Sequence, residues 1–311
     1  MRRWNRLAAI AFVATWSAMA NAEEKAVQPL KGVFKAHFDI GVALGGKLPD
    51  HLKPQEVELV KTHFNAVTPE NCMKPGPVQP KEGVFRFEQP DALVAFAQAH
   101  GLKVTAHCLV WHNQCPDWFF KDGDKPASRD LVLQRMRTHI HTLAGRYKGR
   151  IHGWDVVNEA IDDGKGFLRE TQWKQLIGED FIEKAFEFAH EADPSAKLFY
   201  NDYGIESPAK RDKTLRLIAQ LKSKGCRIDA VGIQGHWQLD HIPFRSIEDA
   251  IVAFHKAGVE VMITELDVDL VGRQASGADV SRTEAGKSDD PYAQGCPPDV
   301  LARQADQYAQ L

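Results

Sequence analysis

The chain has 311 residues, 43% of them hydrophobic and 26% charged, with a formal net charge of −3. That composition can bury a sizeable core, as one large domain or two small ones, and it excludes a disordered chain. The slight acidity leaves no electrostatic footprint for nucleic acid, so no nucleic-acid partner is expected.

In chain order, the first element is a targeting segment. Arg2, Arg3 and Arg6 form a basic start, residues 7–19 a short apolar stretch, and Ala20-Asn21-Ala22 a small-x-small cleavage site. The apolar run is too short for a good membrane span. Residues 1–22 are therefore expected to be a signal peptide and residues 23–311 a single domain. The protein would be exported to the periplasm or beyond, with no membrane attachment after cleavage and a net charge of −6 once the three Arg are removed. Five cysteines remain: Cys72, Cys108, Cys115, Cys226 and Cys296. They fit neither a zinc spacing nor a redox pair. An exported setting leaves one disulfide open without naming its partners. Cys72 and Cys108 read as small buried thiols.

After residue 30, short apolar runs alternate with helical patterns. The runs cover 37–44, 64–68, 104–111, 151–157, 198–203, 230–234 and 259–266. They are rich in Val, Ile and aromatics and mostly not alternating, which is how strands covered on both faces read. Between them, helices are expected over 54–62, 92–100, 131–147, 173–192, 210–224 and 247–257. Ser128 stands as an N-cap, and Gly101, Gly225 and Gly258 stand as C-terminal stops. Leu301, Ala305 and Tyr308 continue the pattern at helical spacing. Seven such βα units predict an α/β fold with a parallel sheet, a (β/α)8 TIM barrel whose eighth strand and final helix are absent from this chain. Gly41, Gly45 and Gly46 do not match a dinucleotide fingerprint, and no cofactor is expected. Residues 273–298 form a long polar segment, functional or mobile.

A barrel gathers its chemistry at the C-terminal ends of its strands. The second run ends in Thr68-Pro69-Glu70-Asn71 with Lys74 beyond, and the third carries His107 and ends in Trp111-His112. The fourth ends in Asn158-Glu159 and the fifth in Asn201-Asp202-Tyr203. The sixth ends in Gln234-Gly235-His236-Trp237, and the seventh in Thr264-Glu265-Leu266-Asp267. Any one of these groups reads most simply as a surface charge or a hydrogen-bonded core residue. Six consecutive strands ending this way point to one cleft. His107, His112, His236, Asp155 and Glu265 would be the ligands of a metal hydrolase, but the spacing is unconvincing and the HxH pair is missing, so no metal is expected. Indoles stack on sugar rings, and Asn, Gln, Lys and Glu bond to hydroxyl groups. Two opposed carboxyl groups break a glycosidic bond when their environments push their pKa values apart.

The blocks TPENCMK (68–74), HCLVWH (107–112), WDVVNEA (154–160), NDY (201–203), GIQGHW (232–237) and ITELD (263–267) resemble glycoside hydrolase family 10 in order and strand position. The resemblance covers roughly residues 30–311. It implies a (β/α)8 barrel with endo-β-1,4-xylanase activity, so 23–311 would be the catalytic domain and xylan or xylo-oligosaccharides the partner of a monomer. It implies Glu159 as general acid/base, Glu265 as nucleophile, and Asn158 on the sugar 2-hydroxyl. His236 would bond to Glu265, with Asp267 behind it. Glu70, Asn71 and Lys74 would bind the next sugar on the non-reducing side. His107, Trp111 and Gln234 would line the cleavage subsite, and Tyr203 the leaving-group side. Retention would require carboxyl groups about 5–5.5 Å apart. The family's eighth strand and final helix lie beyond Leu311, so the chain is expected to be a fragment of a longer protein and less stable than an extended one. A β-1,4-glucanase of the same fold and a non-catalytic sugar-binding remnant are the competing readings.

Overall fold

The seven apolar runs form seven parallel strands, β1 Gly41–Leu44, β2 Ala66–Pro69, β3 Lys103–Val110, β4 Gly153–Asn158, β5 Lys197–Asp202, β6 Ala230–Ile233 and β7 Glu260–Ile263. They lie side by side in chain order, each hydrogen-bonded to the next in parallel register. This is the curled parallel sheet of the expected (β/α)8 architecture. The computed structural model describes residues 27–48, 51–271 and 291–311. The expected signal peptide and residues 273–290 of the polar segment lie outside the described residues.

Burial falls from the middle of the sheet to its edges. All six residues of β4 are buried, as are all four of β6. In β1 only Leu44 is buried, and β7 is exposed at Glu260 and half-buried over Val261–Ile263. The helices on the outer face supply the second layer. Among the described residues they are α1 Pro54–His63, α2 Glu88–Ala99, α3 Arg129–Arg146, α4 Gln172–Ile177, α5 Phe181–Ala192, α6 Pro208–Ser223, α7 Phe244–Lys256 and α8 Pro298–Gln310, beside single-turn pieces. Ser128 does cap α3, its hydroxyl accepting from the Leu131 N–H at 3.3 Å.

Two expectations needed correction. The run at 37–44 is extended only from Gly41, because Phe34–Phe38 form a turn with their rings stacked at 4.9 Å. The helix expected over 173–192 is two helices. Gly178 adopts φ +112° between them, a conformation open to glycine and hostile to a side chain. The break lets Trp173 and Phe181 both turn inward. Among the described residues no helix is long and apolar enough to cross a membrane. All five cysteines are free thiols, Cys108 fully buried and Cys72 half-buried against the core.

Candidate active site

Parallel register carries the polar strand ends into one cleft. Asn158 sits beside Asn201 in the β4–β5 ladder. The ladder then continues past the strands: Glu159 N–H donates to Asn201 O at 2.9 Å, Gln234 N–H to Asp202 O at 3.1 Å, and Glu265 N–H to Gln234 O at 2.8 Å. A short parallel pair beyond the sheet sets Asp267 opposite His236.

Glu159 is 2% exposed. Its carboxyl accepts from Trp111 Nε1 at 2.9 Å on one oxygen, and from Gln234 Nε2 at 2.9 Å and Asn158 Nδ2 at 3.2 Å on the other. Burial pushes this carboxyl up to about 7, against the pull of the Gln234 and Trp111 hydrogen bonds, with Asp202 and Glu265 adding like charge. Its backbone has φ +56°, a left-handed conformation that costs a side-chain-bearing residue about 1–2 kcal/mol. Such strain persists where surrounding bonds over-determine the geometry. Here they are Tyr200 Oη, which accepts from the N–H groups of Ala160 (3.1 Å) and Ile161 (2.9 Å), and Arg169 Nε, which donates to Glu159 O at 3.1 Å.

Glu265 is treated differently. Its side chain is 30% exposed. His236 Nε2 meets one oxygen at 3.1 Å, and Asn201 Nδ2 donates to the other at 2.8 Å. Burial works to raise this carboxyl, but the His236 bond, the imidazoles of His107 and His236 and the Asn201 bond hold it down at about 2. His236 Nδ1 also meets Asp267 Oδ2 at 2.8 Å. An imidazole between two carboxylates donates from both nitrogens only as imidazolium. Burial opposes that charge, yet the Asp267 and Glu265 bonds raise His236 to about 9.

Asn201 joins the two halves. Its Nδ2 also donates to Asn158 Oδ1 at 3.0 Å, and its Oδ1 accepts from Thr264 Oγ1 at 2.6 Å. Gly232 makes the room, since a Cβ there would run into the Asn201 side chain and the Thr264 methyl.

On one flank, Glu70 and Asn71 are exposed, with the Glu70 carboxylate lying against Gly45. Lys74 Nζ reaches Asn71 Oδ1 at 3.1 Å and sits 4.9 Å over the Trp111 ring. His107 is buried below, bonded to Asp155 Oδ2 at 2.8 Å. On the other flank, Tyr203 is half-buried, its hydroxyl held by Arg169 at 2.8 Å and bonded to Asp163. The indoles depart from a simple stacking role. Trp111 is 4% exposed and Trp237 5%, and each spends its N–H on a carboxylate, Glu159 and Glu206 respectively.

Asn201 and Asp155, which carried no expected role in sugar cleavage, and Arg169, Asp163 and Lys210, which the sequence did not mark at all, complete the site. NDY had marked Asn201 as a strand end, and the parallel register to Asn158 was the signal for it. Among the described residues no group of three His, Cys, Asp or Glu is set to hold a metal ion.

Comparison with known proteins shows the family and the fold. The family model described as glycosyl hydrolase family 10 matches residues 29–310. A beta-1,4-xylanase of Dictyoglomus thermophilum is 46% identical over 246 residues, 78% of this chain and 67% of that protein. Endo-1,4-beta-xylanase A of Xylanibacter ruminicola is 43% identical over 270 residues, 86% of this chain and 73% of that one. Among solved structures, the intracellular xylanase of Thermoanaerobacterium saccharolyticum, a glutamate-to-alanine mutant in complex with xylotriose, superposes with a TM-score of 0.78 at 41% identity. That match covers 92% of this chain and 84% of the other.

Proposed function

The chain belongs to glycosyl hydrolase family 10, and on that premise we propose that its cleft hydrolyses internal β-1,4-xylosidic bonds of xylan and xylo-oligosaccharides with net retention. The observation that carries this reading is two carboxyl groups in one cleft with opposite partners: an indole and two amides on buried Glu159, which burial holds up near 7, and His236 with Asn201 on Glu265, which they hold down near 2. One is a proton donor at neutral pH and the other an anion.

Glu159 donates its proton to the glycosidic oxygen as Glu265 attacks the anomeric carbon. The bond to the leaving sugar breaks and a glycosyl ester forms on Glu265. Glu159, now a carboxylate, takes a proton from water. The hydroxide equivalent attacks the anomeric carbon and releases Glu265, so the configuration is inverted twice. Asn158 holds the sugar 2-hydroxyl. Glu70, Asn71 and Lys74 take the neighbouring sugar on the non-reducing side. His107 and Gln234 line the cleavage subsite, and Tyr203 meets the leaving sugar. Trp111 acts from behind, through its bond to Glu159. His236 and Asp267 keep Glu265 ionised.

The xylanase names of the relatives and the xylotriose complex of the structural neighbour support the substrate class. Export is argued from residues 1–22 of the sequence, since that neighbour is an intracellular enzyme. Product analysis on xylan and soluble cellulose tests the reading. Short xylo-oligosaccharides released with the β-anomer first are expected. Failure to cut either polymer overturns it, and faster cutting of cellulose turns it into a glucanase.

A further inference from the structure

The strained turn of Glu159 is held by a side chain that belongs to neither carboxyl group. Arg169 closes the loop that leaves β4, a loop pinched by the bridge between Ile161 and Leu168. Its Nε donates to Glu159 O at 3.1 Å, and its own N–H donates to Ala160 O at 2.8 Å. Its Nη2 reaches Tyr203 Oη at 2.8 Å and Asp163 Oδ2 at 2.9 Å. One guanidinium therefore touches the acid's main chain and the ring on the leaving-group side together. Lys210 braces the assembly. It is 7% exposed, bonds to Asp163 at 2.7 Å and to Asp202 at 2.8 Å, and lies 3.7 Å over the Tyr203 ring.

We infer that Arg169 is a positioning residue, which locks the left-handed turn at Glu159 to the Tyr203 ring so that acid and leaving-group side keep one alignment. The inference rests on the acid/base reading of Glu159. A planar fork can serve three acceptors in fixed directions, which a lysine ammonium on a flexible stem does not reproduce.

The test compares wild-type, Arg169→Lys and Arg169→Met on two substrates. One is a xylo-oligosaccharide, whose leaving sugar needs a proton. The other is an aryl β-xylobioside with an acidic phenol, which leaves without one. Misplacement of a general acid should lower kcat/KM on the oligosaccharide about 30- to 100-fold and on the aryl glycoside about threefold or less. The alkaline limb of the oligosaccharide profile should shift as well. Asp163→Asn, a gentler change, should give a smaller loss with the same selectivity, and it serves if the Arg169 variants fold poorly. Equal losses on both substrates, or no loss on either, overturn the inference. A wild-type enzyme that cuts no xylo-oligosaccharide overturns the underlying reading instead, and that is visible before any variant is made.

Discussion

The two corners of the cleft reach opposite ionisation states from similar materials. Around Glu159 the strand is wholly buried and the hydrogen bonds come from neutral donors, an indole and two amides. Around Glu265 the strand is half-buried at the sheet edge, and the donors are an imidazolium and one amide. Neutral donors soften the penalty of burying a carboxylate without cancelling it, so Glu159 keeps its proton. A charged donor backed by Asp267 overrides burial, so Glu265 loses its own. The nature of the nearest donor, more than burial alone, decides which group is acid and which is nucleophile.

Removing the anion is the harshest way to break this comparison. Glu265→Ala should lower reducing-sugar release from xylan on the order of 10⁴-fold or more. Glu159→Ala should cost about 10²- to 10⁴-fold on xylan and far less in kcat/KM on an aryl xyloside with an acidic leaving group. A variant that loses both equally would mean that Glu159 is not the acid. His236→Asn sharpens the comparison further. Without the imidazolium, Glu265 should rise from about 2 toward its ordinary value, and the acid limb of kcat/KM should rise with it. An unmoved limb would show that something other than His236 sets the ionisation. Trp111→Phe should act least: it removes a bond that favours the charged form, so the alkaline limb should climb modestly from about 7.

Stability should follow the same groups. Glu265 is depressed in the fold, so its contribution is present above the ordinary value near 4.5 and is lost as pH falls toward 2. His236 is raised, so its contribution is present below about 6.5 and is lost as pH rises through about 9. Thermal melts across pH should therefore weaken at both ends, and His236→Asn should flatten the alkaline fall.

Much of this was legible in the chain because buried parallel strands leave a plain mark. Runs such as 151–157 and 230–234 are apolar on both faces, and each stops at the polar group it presents. The edges were less legible. Residues 37–40 have the same apolar look as a strand, but His37 ends a turn and the ladder to the next strand starts only at Gly41. The break at Gly178 was hidden by helical spacing on either side. Within the site, the named strand-end residues came together, while Arg169, Asp163 and Lys210 did not announce themselves. They read as ordinary surface charges in loops and helices, and their meaning lies in contacts with residues 6 to 47 positions away. The indoles were read by their faces, while the fold buries Trp111 and Trp237 and bonds their N–H groups to Glu159 and Glu206.

The partial exposure of Glu265 has a consequence for labelling chemistry. A carboxylate must be ionised to attack an alkylating reagent. Near pH 3, a carboxyl group of ordinary acidity is largely protonated and inert, while Glu265 is still an anion with an open approach. Asp163 is held as low, and Asp91 and Asp180 are lowered too, each in an ion pair with Lys or Arg. A sugar-linked epoxide applied in acid is carried to the cleft by its sugar, and should there esterify Glu265 and spare Glu159, whose proton and burial both protect it. Acidity would thus become a means of marking one glutamate among many.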